Sequence, residues 1–149
     1  AGNEQAYYET ANCLDLLYRF EEAVQLLNQL IDVDPYNATA WYNLGVMYTK
    51  LNLFKEAIEA LKSSGFQVYA VEQVFDSLSL EKANFETDTK IAVVFGNEVS
   101  GVEQDTIALC DATIEIPQLG MKHSLNIATA AGVVLWEIIR TRMNVPSKS

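Results

Sequence analysis

Three short stretches in the second half of the sequence combine residue types that could do chemistry. The apolar run Ile91-Ala92-Val93-Val94-Phe95 leads directly into Gly96-Asn97-Glu98-Val99-Ser100-Gly101. A glycine at the carboxyl end of a strand lets a ligand approach the backbone, and that end is where open α/β sheets bind their ligands. Ile114-Glu115-Ile116-Pro117-Gln118-Leu119-Gly120 has a related form, a strand that meets proline and leaves into a glycine-containing loop. Lys122-His123-Ser124-Leu125-Asn126 then opens a long apolar stretch. Ser124 reads as the N-cap of that last helix, whose free amides suit a carboxylate or another polar ligand. His123 is the sole histidine and reads as an incidental loop residue rather than a base. The two cysteines, Cys13 and Cys110, show no metal-ligand spacing. No metal site is expected; they read as two buried thiols in a reducing cytoplasm.

The elements that must position these residues alternate in type. Residues 66–71 read as a strand, 91–95 as a buried parallel strand, and 112–117 as a third strand ended by Pro117. A short helix is expected at 102–110 and a long one, strongly apolar on one side, at 124–142. Strands alternating with helices predict an α/β arrangement with a parallel sheet.

The front half repeats itself with a period of 34, the spacing of helix–turn–helix units. Trp41, Leu44, Gly45, Tyr48, Ala57 and Leu61 form the clearer unit; one period earlier stand Tyr7, Ala11, Leu14, Ala23 and Leu27, closed by Asp34-Pro35. Four helices are expected, at about 4–18, 21–32, 38–50 and 54–64. The small residues Ala11, Ala23, Gly45 and Ala57 fall where two helices would cross closely, and proline breaks the second helix. Over residues 5–62 this resembles the TPR family. The resemblance implies an all-α N-terminal part whose groove binds a protein partner; the alternative is that two repeats merely pack on the α/β part behind them. The division expected is 1–62 for the repeats and 63–149 for the α/β part, with helix 54–64 shared.

The ordered set G-N-E-x-x-G, I-x-I-P and S-L-N, over about residues 56–142, resembles the SpoU/TrmH branch of the SPOUT superfamily. That resemblance implies S-adenosylmethionine as cofactor and methyl transfer to a ribose 2′-hydroxyl of tRNA or rRNA. It also implies a parallel sheet of the trefoil-knot type and a homodimer. Carried over by position, Gly96, Asn97, Ile116, Leu119, Gly120 and Leu125 would line the cofactor pocket. Glu98, Ser124 and Asn126 match the catalytic polar residues. The family's first half, with three further strands and an N-x-x-x-x-R motif, has no counterpart before Lys62, where the helical repeats stand instead. Arg19, the one arginine of the front half, carries no such motif. The sheet of this type is therefore expected to be incomplete. The alternative reading is a non-enzymatic interaction module in which the methyltransferase-like part serves as a dimerisation platform.

Charge sets a further bound. Twenty acidic side chains against ten basic give a net charge of −10. Residues 1–62 hold nine acids and four bases, residues 63–149 eleven and six. No basic stripe of the kind that grips phosphates is present, whereas a cationic sulfonium is compatible with an acidic chain. No apolar run approaches the roughly 20 residues of a membrane span, and no secretion signal opens the sequence. A cytoplasmic protein without membrane contact is expected.

Overall fold

The computed structural model describes residues 2–97, 99–117 and 126–143. They fall into two compact units, Ala1–Phe66 and Gln67–Ser149.

The first unit contains four helices, α1 (Gly2–Leu16), α2 (Phe20–Val33), α3 (Ala38–Lys50) and α4 (Phe54–Ser63). Each packs against the next. In α2 the buried residues are Ala23, Leu27, Leu30 and Ile31, the spacing of one helix face. A Cβ on Gly45 would lie 3.1 Å from Leu61 Cγ and 3.5 Å from the Ala57 carbonyl oxygen, so α3 approaches α4 closely enough to need a small residue there. Ala11, Ala23 and Ala57 are buried as well.

The 34-residue period of the sequence reappears in the backbone. Tyr18 and Asn52, one period apart, have φ of 58° and 59°. The amide of Arg19 donates to the Leu14 carbonyl at 2.8 Å, and that of Leu53 to the Tyr48 carbonyl at 2.8 Å. Both first helices thus end on a left-handed residue whose reversal lets the next amide reach back to an otherwise unpaired carbonyl. This stops α1 at Leu16, two residues before the expected end. Asn37 caps α3 by accepting from the Ala40 amide at 3.0 Å. Its side-chain oxygen also accepts from the Tyr8 hydroxyl at 2.8 Å. Partial burial raises the Tyr8 pKa, so this hydroxyl remains a donor at neutral pH. Cys13 is exposed rather than buried, because the buried face of α1 passes through Ala11; Cys110 is half-buried. Neither is in a disulfide among the described residues, and the Cys110 thiol donates to the Thr106 carbonyl at 3.3 Å.

The second unit carries a four-stranded sheet of order β2-β4-β1-β3. The strands are β1 (Phe66–Val71), β2 (Leu78–Ser79), β3 (Lys90–Phe95) and β4 (Ala112–Glu115), with a 3₁₀ turn at Leu80–Lys82. β4 runs parallel to β1, pairing Ala70 with Thr113, and parallel to β2, pairing Leu78 with Ile114. Helices α5 (Gln104–Leu109) and α6 (Ile127–Met143) complete the described elements. Leu80, Ala83, Phe85, Ile114, Val134 and Ile138 form the core, with Ile91, Val93 and Phe95 packed against it.

Several boundaries differ from expectation for local reasons. β4 ends at Glu115, two residues before Pro117, which has no amide to continue a ladder. Residues 91–95 of β3 are all only half-buried rather than buried, because β3 lies at the edge of the described sheet. α6 begins at Ile127, where Asn126 acts as its cap: the Asn126 side chain accepts from the Ala128 amide at 2.8 Å. Ser124, the expected cap, lies outside the described residues. At the far end of α6, Arg140 pairs with Glu137, and the Arg142 guanidinium donates to the Thr89 carbonyl just before β3.

Candidate functional site

A cavity of about 680 Å³ opens at the carboxyl ends of three strands. Val71 and Glu72 face it from β1, Phe95 and Gly96 from β3, and Glu115 and Ile116 from β4. Asn126, Ile127 and Ala130 line it from the start of α6. In the sheet β1 stands between β4 and β3, so the three strand ends that line the cavity lie side by side. Such a crevice is the usual ligand position of an open α/β sheet. Its volume lies within the roughly 300–1,000 Å³ of small-molecule sites.

The floor is backbone laid on backbone. A Cβ on Gly96 would meet the Gly101 carbonyl carbon at 2.0 Å and the Val102 nitrogen at 2.3 Å. No side chain fits there, which is why a glycine must follow β3. Gly101 has φ of +66°, and a Cβ there would lie 2.2 Å from Glu72 Oε2. Between these glycines Asn97 folds the loop on itself. Its Oδ1 accepts from the Val99 amide at 2.9 Å and the Ser100 amide at 2.7 Å. Its Nδ2 donates to Ser100 Oγ at 2.7 Å, and its carbonyl accepts from the Gly101 amide at 3.1 Å. Asn97 lines the cavity, but its side chain is occupied with shaping the loop.

Glu72 carries the connection to the sheet. Its amide donates to the Ile114 carbonyl at 3.1 Å, continuing the β1–β4 ladder. Its carboxylate accepts from the Val102 amide at 2.9 Å and from the Gln73 amide at 3.1 Å. Glu72 and Glu115 are the charged side chains among the described lining residues, and none there is basic. An acidic cavity with a backbone floor and Phe95, Ile116 and Ile127 in its walls suits a cationic, partly apolar small molecule. Among the described residues no cluster of histidine, cysteine and carboxylate could hold a metal ion.

Of the residues expected from sequence, Gly96, Asn97, Ile116 and Asn126 come together around this cavity. Asn126 contributes both the helix cap and part of the wall. Glu98, Leu119, Gly120, Ser124 and Leu125 lie outside the described residues, as does His123. Glu115, at the end of β4, is a half-buried part of the lining. Sequence reasoning missed Glu72. Its signal is positional: it is the first residue after the central strand, on the side where the other two strands release their glycine and proline loops.

The SpoU rRNA Methylase family matches residues 10–136. A tRNA (guanosine(18)-2'-O)-methyltransferase of Thermus thermophilus is 42% identical over 88 residues, covering 59% of this chain and 44% of that protein. The protein of the same name from Escherichia coli (strain K12) is 30% identical over 108 residues, covering 72% of this chain and 46% of its own length. The chain thus spans less than half the length of these relatives. The SpoU methyltransferase AviRb from Streptomyces viridochromogenes, solved in complex with the cofactor AdoMet, superposes with a TM-score of 0.52 at 25% identity. That match covers 63% of this chain and 37% of AviRb. Since the family match runs over most of the sequence and the glycine-floored cavity falls within it, the chain belongs to the SpoU rRNA Methylase family.

Proposed function

We propose that the chain binds S-adenosylmethionine in the cavity between the ends of β1, β3 and β4, and serves ribose 2′-O-methylation of tRNA or rRNA. The observation that carries this reading is the Gly96–Gly101 crossing. It gives a bare backbone floor to a cavity walled by apolar side chains and two carboxylates. The relatives' names as RNA 2′-O-methyltransferases and the AdoMet in AviRb support the same assignment. Bound there, S-adenosylmethionine supplies a methyl group on a cationic sulfur. Gly96, Asn97, Ile116, Leu119, Gly120 and Leu125 are proposed to hold it, and Glu98, Ser124 and Asn126 to order the reacting groups. The ribose hydroxyl is a weak nucleophile at neutral pH and needs a positioned activating group. Arg19, which carries no arginine motif of the family, is exposed at the start of α2 and paired with Glu22. Calorimetry should therefore show S-adenosylmethionine binding, and no heat at millimolar ligand with folded protein would refute the pocket.

A second reading has its own observation. The 34-residue period recurs in both sequence and backbone, at Tyr18 and Asn52, which supports two TPR-like repeats that bind a protein partner. In that reading the second unit is a dimerisation platform. A methyl-transfer assay on bulk RNA separates the two, since product formation excludes a purely non-enzymatic module.

A homodimer is proposed on either reading. Leu135, Trp136, Ile139 and Met143 lie 50–73% exposed on one side of α6, opposite the buried Ala130, Val134 and Ile138. An apolar helical stripe of this kind is a characteristic association surface. Sedimentation velocity should show a dimer for the wild type and a monomer for Trp136→Glu. A wild-type monomer at tens of micromolar, on the order of ordinary dimer affinities, would remove the proposal.

A further inference from the structure

We propose that Glu72 is the positioning residue that anchors the 97–102 loop to the sheet and thereby sets the shape of the cofactor cavity; the cavity's ligand rests on the reading given above. Within the loop, Asn97 Oδ1 accepts from the Val99 and Ser100 amides and the Asn97 carbonyl accepts from that of Gly101. Those bonds do not fix how the loop is oriented on the strands beneath it. Orientation comes from Glu72. Its backbone is fixed by the hydrogen bond that its amide donates to the Ile114 carbonyl, at the end of the ladder between β1 and β4. Its carboxylate then reaches across to the Val102 amide, 30 residues later in the chain. That bond draws residues 101–102 down onto Gly96, where the backbone atoms leave no room for a Cβ. The absence of a side chain at Gly101 belongs to the same device, since a Cβ there would occupy the position of Glu72 Oε2. A carboxylate accepting backbone amides is a strong, directional tie.

The main competing role for Glu72 is direct: a negative charge facing the cationic sulfur of the methyl donor. The two roles differ in what they require of the side chain. An anchor needs an acceptor oxygen at that reach, which glutamine retains. A charge partner needs the charge, and would act on S-adenosylmethionine but not on S-adenosylhomocysteine, whose sulfur is uncharged.

The experiment is calorimetry with both ligands on wild type, Glu72→Gln and Glu72→Ala, joined to amide hydrogen exchange read at Val102. Glu72→Ala should weaken both ligands alike, by about tenfold or more, as expected for losing a hydrogen bond to a charged group. It should also release the Val102 amide to exchange. Glu72→Gln should restore Val102 protection and bring both affinities back to within about threefold of wild type. Three results overturn the proposal. One is a folded Glu72→Ala that binds both ligands as wild type does. Another is a selective loss of S-adenosylmethionine in both variants, which assigns the charge role instead. The third is unchanged Val102 exchange in Glu72→Ala. If Glu72→Ala fails to fold, Glu72→Gln decides between anchor and charge by itself. A wild type that binds neither ligand defeats the cofactor reading, and the exchange measurement still decides the anchor.

Discussion

Gly96→Val is expected to abolish S-adenosylmethionine binding, by a factor of about 100 or more, while leaving most of the secondary structure in place. The conflict is with main chain rather than with a side chain that could rotate away. Even the first added carbon would lie 2.0 Å from the Gly101 carbonyl carbon and 2.5 Å from Gly101 Cα. Relief requires the loop to lift from the sheet, and the loop is held by Asn97 within and by Glu72 from β1. Lifting it breaks the Val102–Glu72 bond and removes the floor of the cavity. Overpacking of a well-filled site costs on the order of 1–3 kcal/mol and often more when backbone must move. Calorimetry at millimolar ligand, with far-ultraviolet circular dichroism to confirm folding, tests this. Gly132→Ala is the matched control. Nothing lies within 4 Å of the added carbon, and the position is inside α6. Alanine there should stabilise by up to about 1 kcal/mol and leave binding intact. A folded Gly96→Val protein that binds within threefold of wild type, roughly 0.7 kcal/mol, would mean that the cavity is not the cofactor site.

That prediction can be framed from sequence because glycine after an apolar strand is a local signal. The strand 66–71 and the loop glycines of 96–101 are legible for the same reason: each is set by neighbours in the chain. The repeat in the front half is legible because a period of 34 leaves the same residue types at the same turns, and the backbone repeats at Tyr18 and Asn52. What escapes depends on contacts distant in sequence. β2 is only two residues long and has no periodicity to read; it forms because Leu78 and Ser79 find β4 beside them. The half-exposure of β3 follows from its place in the sheet order, which residues 91–95 do not encode by themselves. Glu72 looks like any surface carboxylate after a strand, and its role emerges only when Val102 arrives above it. Asn126 is legible as the polar residue that ends the S-L-N motif, but its work as a helix cap depends on where α6 actually begins.

The second large effect is on stability. Ile114→Ala should destabilise the second unit by about 2–5 kcal/mol, whereas Ile114→Val should cost only about 0.5–1.5 kcal/mol. Ile114 is fully buried in β4, the strand with a parallel neighbour on both sides. Its side chain packs in the cluster of Leu80, Phe85, Val134 and Ile138, so shortening it opens a space bordered by the sheet, the 3₁₀ turn and α6 at once. Groups held by three separate elements collapse poorly into a cavity, which places the alanine variant toward the upper part of the range. The main chain at the same residue carries the proposed anchor, because the Ile114 carbonyl accepts from the Glu72 amide. Denaturant unfolding followed by circular dichroism measures the loss, and at about 4–8 °C per kcal/mol for a unit of this size the thermal midpoint should fall by about 10 °C or more. The valine variant retains the β-branched shape at the strand position, so its midpoint should fall only about a third as far as the alanine variant's and its ligand affinity should be unchanged. An alanine variant within about 1 kcal/mol of wild type would show that β4 and α6 do not close on a common core. The support proposed beneath Glu72 would then be absent as well.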